Sequence, residues 1–282
     1  LRMPSKLKEG WKRDNNNGVL LSNQADLSKS IALFEKAHKE QPNNLHIQFN
    51  LGMMYVRNGQ SLKGQELLAN LMDRKGIDEN QVRLGLGIAC FEQGRIRQAL
   101  KLFESSGTPE GMLNVALYHF NKDAFKTASE FAQKAHSLAP EDLEILEQYS
   151  YMLYRDHQLG RSIQAANKLV KLAPENQEHR LYLAALLLEA GQPRESLRQL
   201  EHMKNHGAKN ELPAQLYIGI GAALGQMKAY DDALTYLHLA LKREPNSTAV
   251  WMEIAQLQLN AGWLDQALVS FGKLEKLGEK EK

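Results

Sequence analysis

A small residue recurs eight times along this chain at intervals close to 34 residues. A small or apolar residue follows it four positions later each time. The small residues are Ser30, Gly64, Ala99, Ala128, Ser162, Ser196, Ala233 and Ala267, and those four positions on are Phe34, Leu68, Phe103, Ala132, Ala166, Leu200, Leu237 and Phe271. Residues i and i+4 lie on one face of a helix. Eight copies in one phase predict an array of similar helical units.

A second helix is predicted about half a period earlier in each unit. Its mark is an apolar residue followed by a small one, in the pairs Leu51-Gly52, Leu86-Gly87, Val115-Ala116 and Ile220-Gly221. A small residue at this position lets two helices cross at close range. The turn between the helices is marked by Gly59, Gly94, Gly191 and Gly262, and the end of the unit by Pro42, Pro140, Pro174 and Pro245. Each unit is therefore predicted to be a helix-turn-helix.

These patterns resemble the tetratricopeptide repeat, whose period is also 34 residues. The resemblance rests on Leu51-Gly52-x-x-Tyr55, on Ala99-x-x-x-Phe103, on Ala233 with Ala240 and Pro245, and on Trp251. It implies an all-α fold, a right-handed superhelical solenoid of about eight helix-turn-helix repeats.

The repeat phase predicts where each unit begins and ends. Residues 1–10 form an N-terminal tail, and the solenoid over 11–281 divides into 11–44, 45–78, 80–108, 109–142, 143–176, 177–210, 214–247 and 248–281. The first unit is the weakest, because residues 14–18 read Asp-Asn-Asn-Asn-Gly, which favours turns over helix. The third unit is short, and an insertion at 207–210 precedes the seventh.

Composition narrows the classes of partner. The net charge is only +2, and Glu130 and Glu195 interrupt the basic runs around Lys126 and Arg194, so we expect no nucleic-acid partner. No apolar run reaches the ~18 residues of a membrane span, so we expect no direct membrane insertion. The chain begins Leu1-Arg2-Met3, and we expect a processed or excised fragment, either cytoplasmic or, if an anchor was removed, periplasmic or membrane-tethered.

The chain offers little chemistry for catalysis. No phosphate-binding or nucleotide-binding glycine motif is present, and no serine lies in a nucleophile motif. His202 and His206 have metal-ligand spacing, but without further ligands nearby a solvated helix end is expected. Cys90 falls at a helix-packing position, where a buried inert thiol is expected. We therefore expect no catalytic residues, no metal and no cofactor.

A second apolar stripe on the first helix of each unit is the candidate binding surface. It contains Phe49, Met53, Leu84, Ile88, Phe91, Leu113, Leu117, Phe120, Tyr151 and Tyr154. The resemblance implies that this stripe lines a concave groove. The later units are smaller there, with Ala185, Ala222 and Gly225, so the groove should widen. An alternative interpretation is that neighbouring repeats bury the stripe.

An acidic edge is predicted beside the stripe, from Glu110, Glu144, Glu147 and Glu178. Together the two features favour a protein or peptide partner, an apolar or amphipathic segment with a few basic residues. Co-chaperone tetratricopeptide domains instead clamp a C-terminal carboxylate with a lysine. The equivalent positions are Asn15, Phe49, Leu84, Leu113, Glu147, Leu181, Ile218 and Met252. None is lysine, so that clamp is not expected.

The resulting hypothesis is a non-catalytic scaffold or adaptor that binds protein segments and assists assembly of a multiprotein complex. Bacterial relatives serve envelope assemblies, which makes such a complex a candidate. The alternative is a regulatory or substrate-docking arm of a larger enzyme. The last unit ends directly after the helix carrying Leu268, Phe271 and Leu274, so self-association through this C-terminal repeat is also predicted.

Overall fold

The computed structural model describes residues 27–206 and 213–278, and these form fifteen α-helices and no β-strand. The chain divides into two compact units, Leu1–Pro140 and Glu141–Lys282. The first unit contains α1 (Leu27–Glu40), α2 (Leu45–Arg57), α3 (Ser61–Ala69), α4 (Glu79–Glu92), α5 (Ile96–Ser106), α6 (Pro109–Phe120) and α7 (Phe125–Leu138). The second contains α8 (Leu143–Arg155), α9 (Leu159–Leu172), α10 (Gln177–Glu189), α11 (Pro193–His206), α12 (Ala214–Gln226), α13 (Tyr230–Arg243), α14 (Thr248–Asn260) and α15 (Leu264–Gly278). The all-α prediction is confirmed.

Helices α2 to α15 form seven consecutive pairs. The two helices of each pair pack against each other, and within each unit the second helix of one pair packs on the first helix of the next. α1 packs on α2 as the second helix of an earlier pair. The predicted stack of helix-turn-helix repeats is therefore present within each unit. The predicted tail 1–10, the first helix of 11–44 with its turn-forming segment, and the insertion at 207–210 lie outside the described residues.

The small residues of the repeat lie where two helices touch. A Cβ atom built on Gly64 would lie 2.6 Å from the carbonyl oxygen of Gly52 and 2.5 Å from Cγ2 of Val56. The same crowding recurs at Gly87, whose Cβ would lie 2.6 Å from the ring of Phe103. The contact at Gly64 involves backbone, which cannot rotate away. The repeat thus requires a small residue at this crossing because a larger one would separate α2 from α3.

Replacing Gly64 with alanine should destabilise the protein by about 1–3 kcal/mol, the usual cost of overpacking a core. Alanine is the better helix former, so propensity alone predicts the opposite sign. The matched control is Gly272→Ala in α15, because nothing lies within 4 Å of a Cβ built there. That change should stabilise by up to about 1 kcal/mol. Chemical denaturation of both variants measures the difference, and equal effects would contradict the packing argument.

The turn inside each pair contains one residue with positive φ. Gly59, Gly94, Gly191 and Gly262 have φ between 68° and 78°, as the glycine pattern predicts. The equivalent turns of the other pairs use Asp123, His157 and Lys228, with φ of 56°, 57° and 62°. The left-handed conformation therefore persists where glycine is absent. It closes the same turn in each case, with the Lys228 amide donating to the Gly225 carbonyl at 3.0 Å, for example.

The short third repeat ends in a tightly capped junction. α5 stops at buried Ser106, and Gly107 follows with φ of 63°. The Thr108 side chain then accepts a hydrogen bond from the Gly111 amide at 3.0 Å, and Pro109 occupies the first turn of α6. A hydroxyl cap followed by proline is a favoured helix start. The shortening is thus absorbed by an immediate restart of the next helix.

Polar contacts also join neighbouring pairs of the first unit. The Tyr55 hydroxyl on α2 donates to Glu35 Oε1 on α1 at 2.6 Å. Burial of the ring and this bond to Glu35 raise the pKa of Tyr55 to about 12. The Ser61 hydroxyl at the start of α3 donates to the Glu92 carboxylate on α4. These contacts add polar links between successive pairs.

Candidate functional site

An apolar pocket of about 560 Å³ opens between the third and fourth predicted repeats, in the first unit. α4 contributes Ile88 and Phe91, one helical turn apart, and α6 contributes Leu117 and Tyr118. The full lining is Ile88, Phe91, Ile96, Phe103, Asn114, Leu117, Tyr118, Asn121 and Lys122. We call this the apolar pocket. Five of its nine lining residues are apolar, and its polar groups are two amides, a phenol and one ammonium.

Two phenylalanines of the apolar pocket differ in burial. Phe103 on α5 is only 3% exposed and packs in a core cluster with Cys90, Ala99 and Val115. Phe91 is 42% exposed, and its ring meets the Tyr118 ring edge-on, with centroids 6.4 Å apart. Phe103 thus forms a fixed floor, whereas Phe91 presents a large aromatic surface to solvent at the end of α4.

The structure brings together only part of the predicted stripe. Ile88, Phe91 and Leu117 line the apolar pocket. Leu84 and Leu113 are buried, which corrects the expectation that they lie on an open or half-open face. For Leu84 the reason is packing, because it joins the core cluster that contains Val115 of the next repeat.

The other stripe residues of the first unit are half-buried. Phe49 and Met53 pack on the core cluster between α2 and α4. Phe120 contacts Phe125 of α7, with ring centroids 5.4 Å apart. These three side chains therefore contribute both to packing and to surface. The alternative interpretation of the stripe, burial by neighbouring repeats, applies to some of its members.

The tyrosines of the stripe lie in the second unit. Tyr151 is exposed, and its ring centroid is 6.5 Å from that of Tyr154 on the same helix. Tyr151 and Tyr182 flank a small pocket of about 230 Å³ together with Glu147 and Glu178. Two residues of the predicted acidic edge thus meet at one site. Glu144 is exposed in the first turn of α8, and Glu110 is exposed in the first turn of α6, in the other unit.

A buried histidine in this small pocket was not predicted. His179 on α10 is buried, and its Nε2 atom contacts the Glu147 carboxylate on α8. The contact joins the first helices of two successive repeats, which explains why Glu147 is held at the pocket. Sequence spacing hinted at it, since Glu147 and His179 are separated by 32 residues, close to one repeat.

A second opening of about 440 Å³ lies along α10, α12 and α14, and we call it the α10–α14 groove. Its lining is Ala185, Leu188, Glu189, Gly221, Ala222, Gly225, Gln226, Leu237, Glu253, Gln256, Leu257 and Asn260. Ala185, Ala222 and Gly225 are the small residues for which a wider groove was predicted. Glu253, Gln256 and Asn260 were missed. Gln256 occupies the repeat position of Ala185 and Ala222, so continuing the stripe into the last unit would have found it.

The environment of the α10–α14 groove affects two ionisable groups. Glu253 retains exposed surface, yet the surrounding protein displaces enough water from its carboxyl to raise its pKa. Glu189 accepts a hydrogen bond from the Tyr154 hydroxyl, and this bond with the negative charge of Glu189 raises the pKa of Tyr154. The predicted stripe residue Tyr154 is thereby tied to a carboxylate of the groove.

Reactive groups elsewhere have ordinary structural positions. Cys90 is buried, and burial raises the pKa of its thiol although the charge of Arg95 opposes the shift. Within residues 27–206 and 213–278, no group of three or more potential ligands is placed to hold a metal. His202 is exposed, and the side chain of His206 lies outside the described set. No helix in the described part of the chain has the length and apolar character needed to cross a bilayer.

The last helix carries an exposed apolar face. Leu268 on α15 is 70% exposed and Phe271 is 37% exposed, and Leu264 and Val269 are also exposed. Part of this helix therefore presents apolar side chains to solvent. Self-association through it stays a prediction.

Solved structures with the same architecture support the class of fold. The C-terminal part of a TPR repeat-containing protein from Cytophaga hutchinsonii is 13% identical, with a TM-score of 0.58 over 90% of this chain and 98% of that one. MamA residues 41 to the end, from Desulfovibrio magneticus RS-1, is 17% identical, with a TM-score of 0.53 over 62% and 97%. No family model matches the sequence, and no curated protein matches it significantly. The chain thus has a tetratricopeptide-repeat-like fold.

Proposed function

We propose that this chain is a non-catalytic protein-interaction scaffold of the tetratricopeptide-repeat family. It binds an apolar or amphipathic segment of a partner protein and so assists assembly of a multiprotein complex, with bacterial envelope complexes as the candidates. The observation that carries the proposal is the apolar pocket with its exposed Phe91.

The composition of the apolar pocket suits a partner side chain. It offers the apolar side chains Ile88, Phe91 and Leu117 above the buried Phe103. Asn114, Asn121 and Lys122 add hydrogen-bond donors and acceptors to the same lining. Protein interfaces combine apolar and polar groups in this way, and aromatic residues concentrate their binding energy.

The chemistry of the apolar pocket also supports a non-catalytic role. No carboxylate, thiol or imidazole belongs to its lining, so the side chains that most often act as general bases or nucleophiles are missing there. The fold gives support of a general kind, because stacked helix pairs present similar surfaces repeatedly along a chain. Tyr151, Glu147 and Glu178 offer a further contact region for a partner that carries basic residues.

Loss of the Phe91 ring should weaken partner binding by roughly 5- to 150-fold, which corresponds to about 1–3 kcal/mol for an interface anchor. The probe is a peptide obtained by selecting a random displayed library on the full chain. Its dissociation constant is then measured by calorimetry with wild type and with Phe91→Ala. The selected sequences should carry apolar residues at helical spacing, three or four apart.

The matched control is Phe271→Ala. Phe271 is an aromatic residue of similar exposure, 37% against 42%, but it lies on α15 in the other unit. This variant should bind the selected peptides within about twofold of wild type. Equal binding by Phe91→Ala and wild type would contradict the assignment of the apolar pocket as the partner site.

A further inference from the structure

The α10–α14 groove is open because two successive repeats carry small residues along α10 and α12. Ala185 is exposed on α10, and Ala222 is half-buried on α12. A Cβ atom on Gly225 would lie 2.7 Å from Cδ1 of Leu257, so a side chain at this position would displace the Leu257 side chain. The missing side chains leave room for a polypeptide backbone to approach the helices.

Amide side chains line the same groove. Gln256 Nε2 donates to Asn260 Oδ1 at 3.1 Å, one turn along α14. This bond uses one N–H group of Gln256 and one oxygen lone pair of Asn260. Each amide therefore keeps at least one N–H donor and one oxygen lone pair for a ligand. Gln226 Nε2 donates to the Leu188 carbonyl at 3.2 Å, which joins α12 to α10. Primary amides offer both a donor and an acceptor, which matches the two polar groups of a peptide unit.

The α10–α14 groove has negative charge without a matching cation. Glu189 and Glu253 both line it, and none of its described lining residues is lysine, arginine or histidine. Partial removal of water from the Glu253 carboxyl raises its pKa. Glu189 accepts a hydrogen bond from the neutral Tyr154 hydroxyl. A positive group that entered the groove would stabilise the Glu253 carboxylate and offset its partial loss of water.

We propose that the α10–α14 groove receives an extended segment of a partner protein and that a lysine or arginine of this segment pairs with Glu253. Glu189 adds to the negative potential, and Gln256 and Asn260 bind the backbone of the segment. The inference rests on the proposed function, because both require a polypeptide partner. It adds a basic, extended class of segment at a place separate from the apolar pocket.

Other occupants fit the α10–α14 groove less well. Phosphates of a nucleic acid would be repelled by two carboxylates. A divalent metal would need more ligands than this pair, and no group of three potential ligands exists in the described ranges. An apolar helix would find little apolar side-chain surface at Ala185, Ala222 and Gly225. The charge and the amides instead complement a basic, hydrogen-bonding chain.

The test selects a random displayed peptide library on the whole chain carrying Phe91→Ala, so that the apolar pocket is disabled. Recovered peptides should contain lysine or arginine at a constant position. Glu253→Gln keeps the shape and removes the charge, and it should weaken binding about tenfold or more. Replacing the peptide's basic residue with norleucine should cause a similar loss. The two changes together should cost little more than one, because they remove one interaction.

Two further variants make the result specific. Glu201→Gln removes an exposed charge on α11, away from the groove lining, and should bind as wild type does. Ala185→Leu should block binding by filling the groove, since its alanine is exposed and a leucine there leaves the core intact. Circular dichroism verifies that each variant is folded.

Failure of this inference differs from failure of the proposed function. Peptides that bind Glu253→Gln or Ala185→Leu as well as wild type would overturn the groove assignment, as would recovery of no peptide on the Phe91→Ala variant. In either case the proposed function stands if peptides selected on wild type depend on Phe91. Loss of Phe91 dependence together with Glu253-dependent binding would overturn only the apolar pocket.

Discussion

Replacing Ala233 with arginine should lower the free energy of unfolding by about 3–5 kcal/mol, the cost of an unpaired buried charge. Ala233 is fully buried in the cluster that joins α12, α13 and α14. A Cβ atom on Gly221 of α12 would lie 3.2 Å from the carbonyl oxygen of Ala233, so the two helices touch here. An arginine must either bury its guanidinium without a partner or separate α12 from α13. Chemical denaturation followed by circular dichroism measures the loss.

The matched control is Ala32→Arg, because Ala32 is exposed in the middle of α1. It should change stability by less than about 0.5 kcal/mol, as surface substitutions usually do. Hydrogen exchange locates the damage, since repeat proteins transmit stability mainly between neighbours. Ala233→Arg should increase exchange most in α12, α13 and α14. An unchanged denaturation curve would mean that the repeat phase is misassigned.

The pairing of helices was predictable because its cause is local. A close crossing demands a small residue wherever two helices touch, and Ala99, Ser162 and Ala233 are all fully buried. Because every repeat contains this crossing, the small residue recurs many times along the sequence. The bounds of the individual units remain predictions, and α4 begins at Glu79, one residue before the predicted unit 80–108.

The turns show what the repeat pattern could not reveal. Glycine marked four of them, but Asp123, His157 and Lys228 adopt the same left-handed conformation without glycine. The strain in such a residue is of order 1–2 kcal/mol, less than the packing energy of the two helices it joins. Packing of the two helices therefore determines the left-handed conformation of the turn residue. A glycine at that position only lowers its strain.

The candidate site was predicted less completely than the fold. Helical periodicity shows on which side of a helix a residue lies, but it does not show which residues of other repeats cover it. Leu84 and Phe91 fall on the same predicted stripe of α4. Leu84 is covered by the next repeat, whereas Phe91 lies in the last turn of the helix and remains exposed. Which residue is covered depends on how successive pairs stack. This information is distributed over several repeats.

The α10–α14 groove has a similar explanation. Its small residues were visible in the sequence, and they predicted extra space. Glu253 belongs to a different stripe of its helix, and only the contact of α12 with α14 places it beside Gly225. Nothing in the sequence distinguishes the partly desolvated carboxylate of Glu253 from the other carboxylates of the chain. Its function as a candidate cation receptor emerges only from the assembled repeats.

Truncation of Phe103 should cost about 3–5 kcal/mol of stability, whereas truncation of Phe91 should cost only about 1 kcal/mol. Both rings line the apolar pocket, but Phe103 is 3% exposed and packs against Gly87, and Phe91 is 42% exposed. Removing Phe103 leaves a cavity that the surrounding helices cannot fill. Removing Phe91 takes away a side chain that already contacts solvent. Denaturation curves of the two alanine variants give the free energy of unfolding after the same substitution at a buried and at an exposed position of one pocket.

Phe120→Ala provides an intermediate case, because this half-buried ring packs on Phe125 of α7. We expect its loss of stability to lie between those of Phe91→Ala and Phe103→Ala. The peptide affinities should follow another order, with Phe91→Ala binding weakly although it is well folded. If Phe91→Ala instead denatures as early as Phe103→Ala, the Phe91 ring belongs to the core. Its exposed surface would then be incidental, and Tyr151 with Glu147 and Glu178 would become the next surface to test.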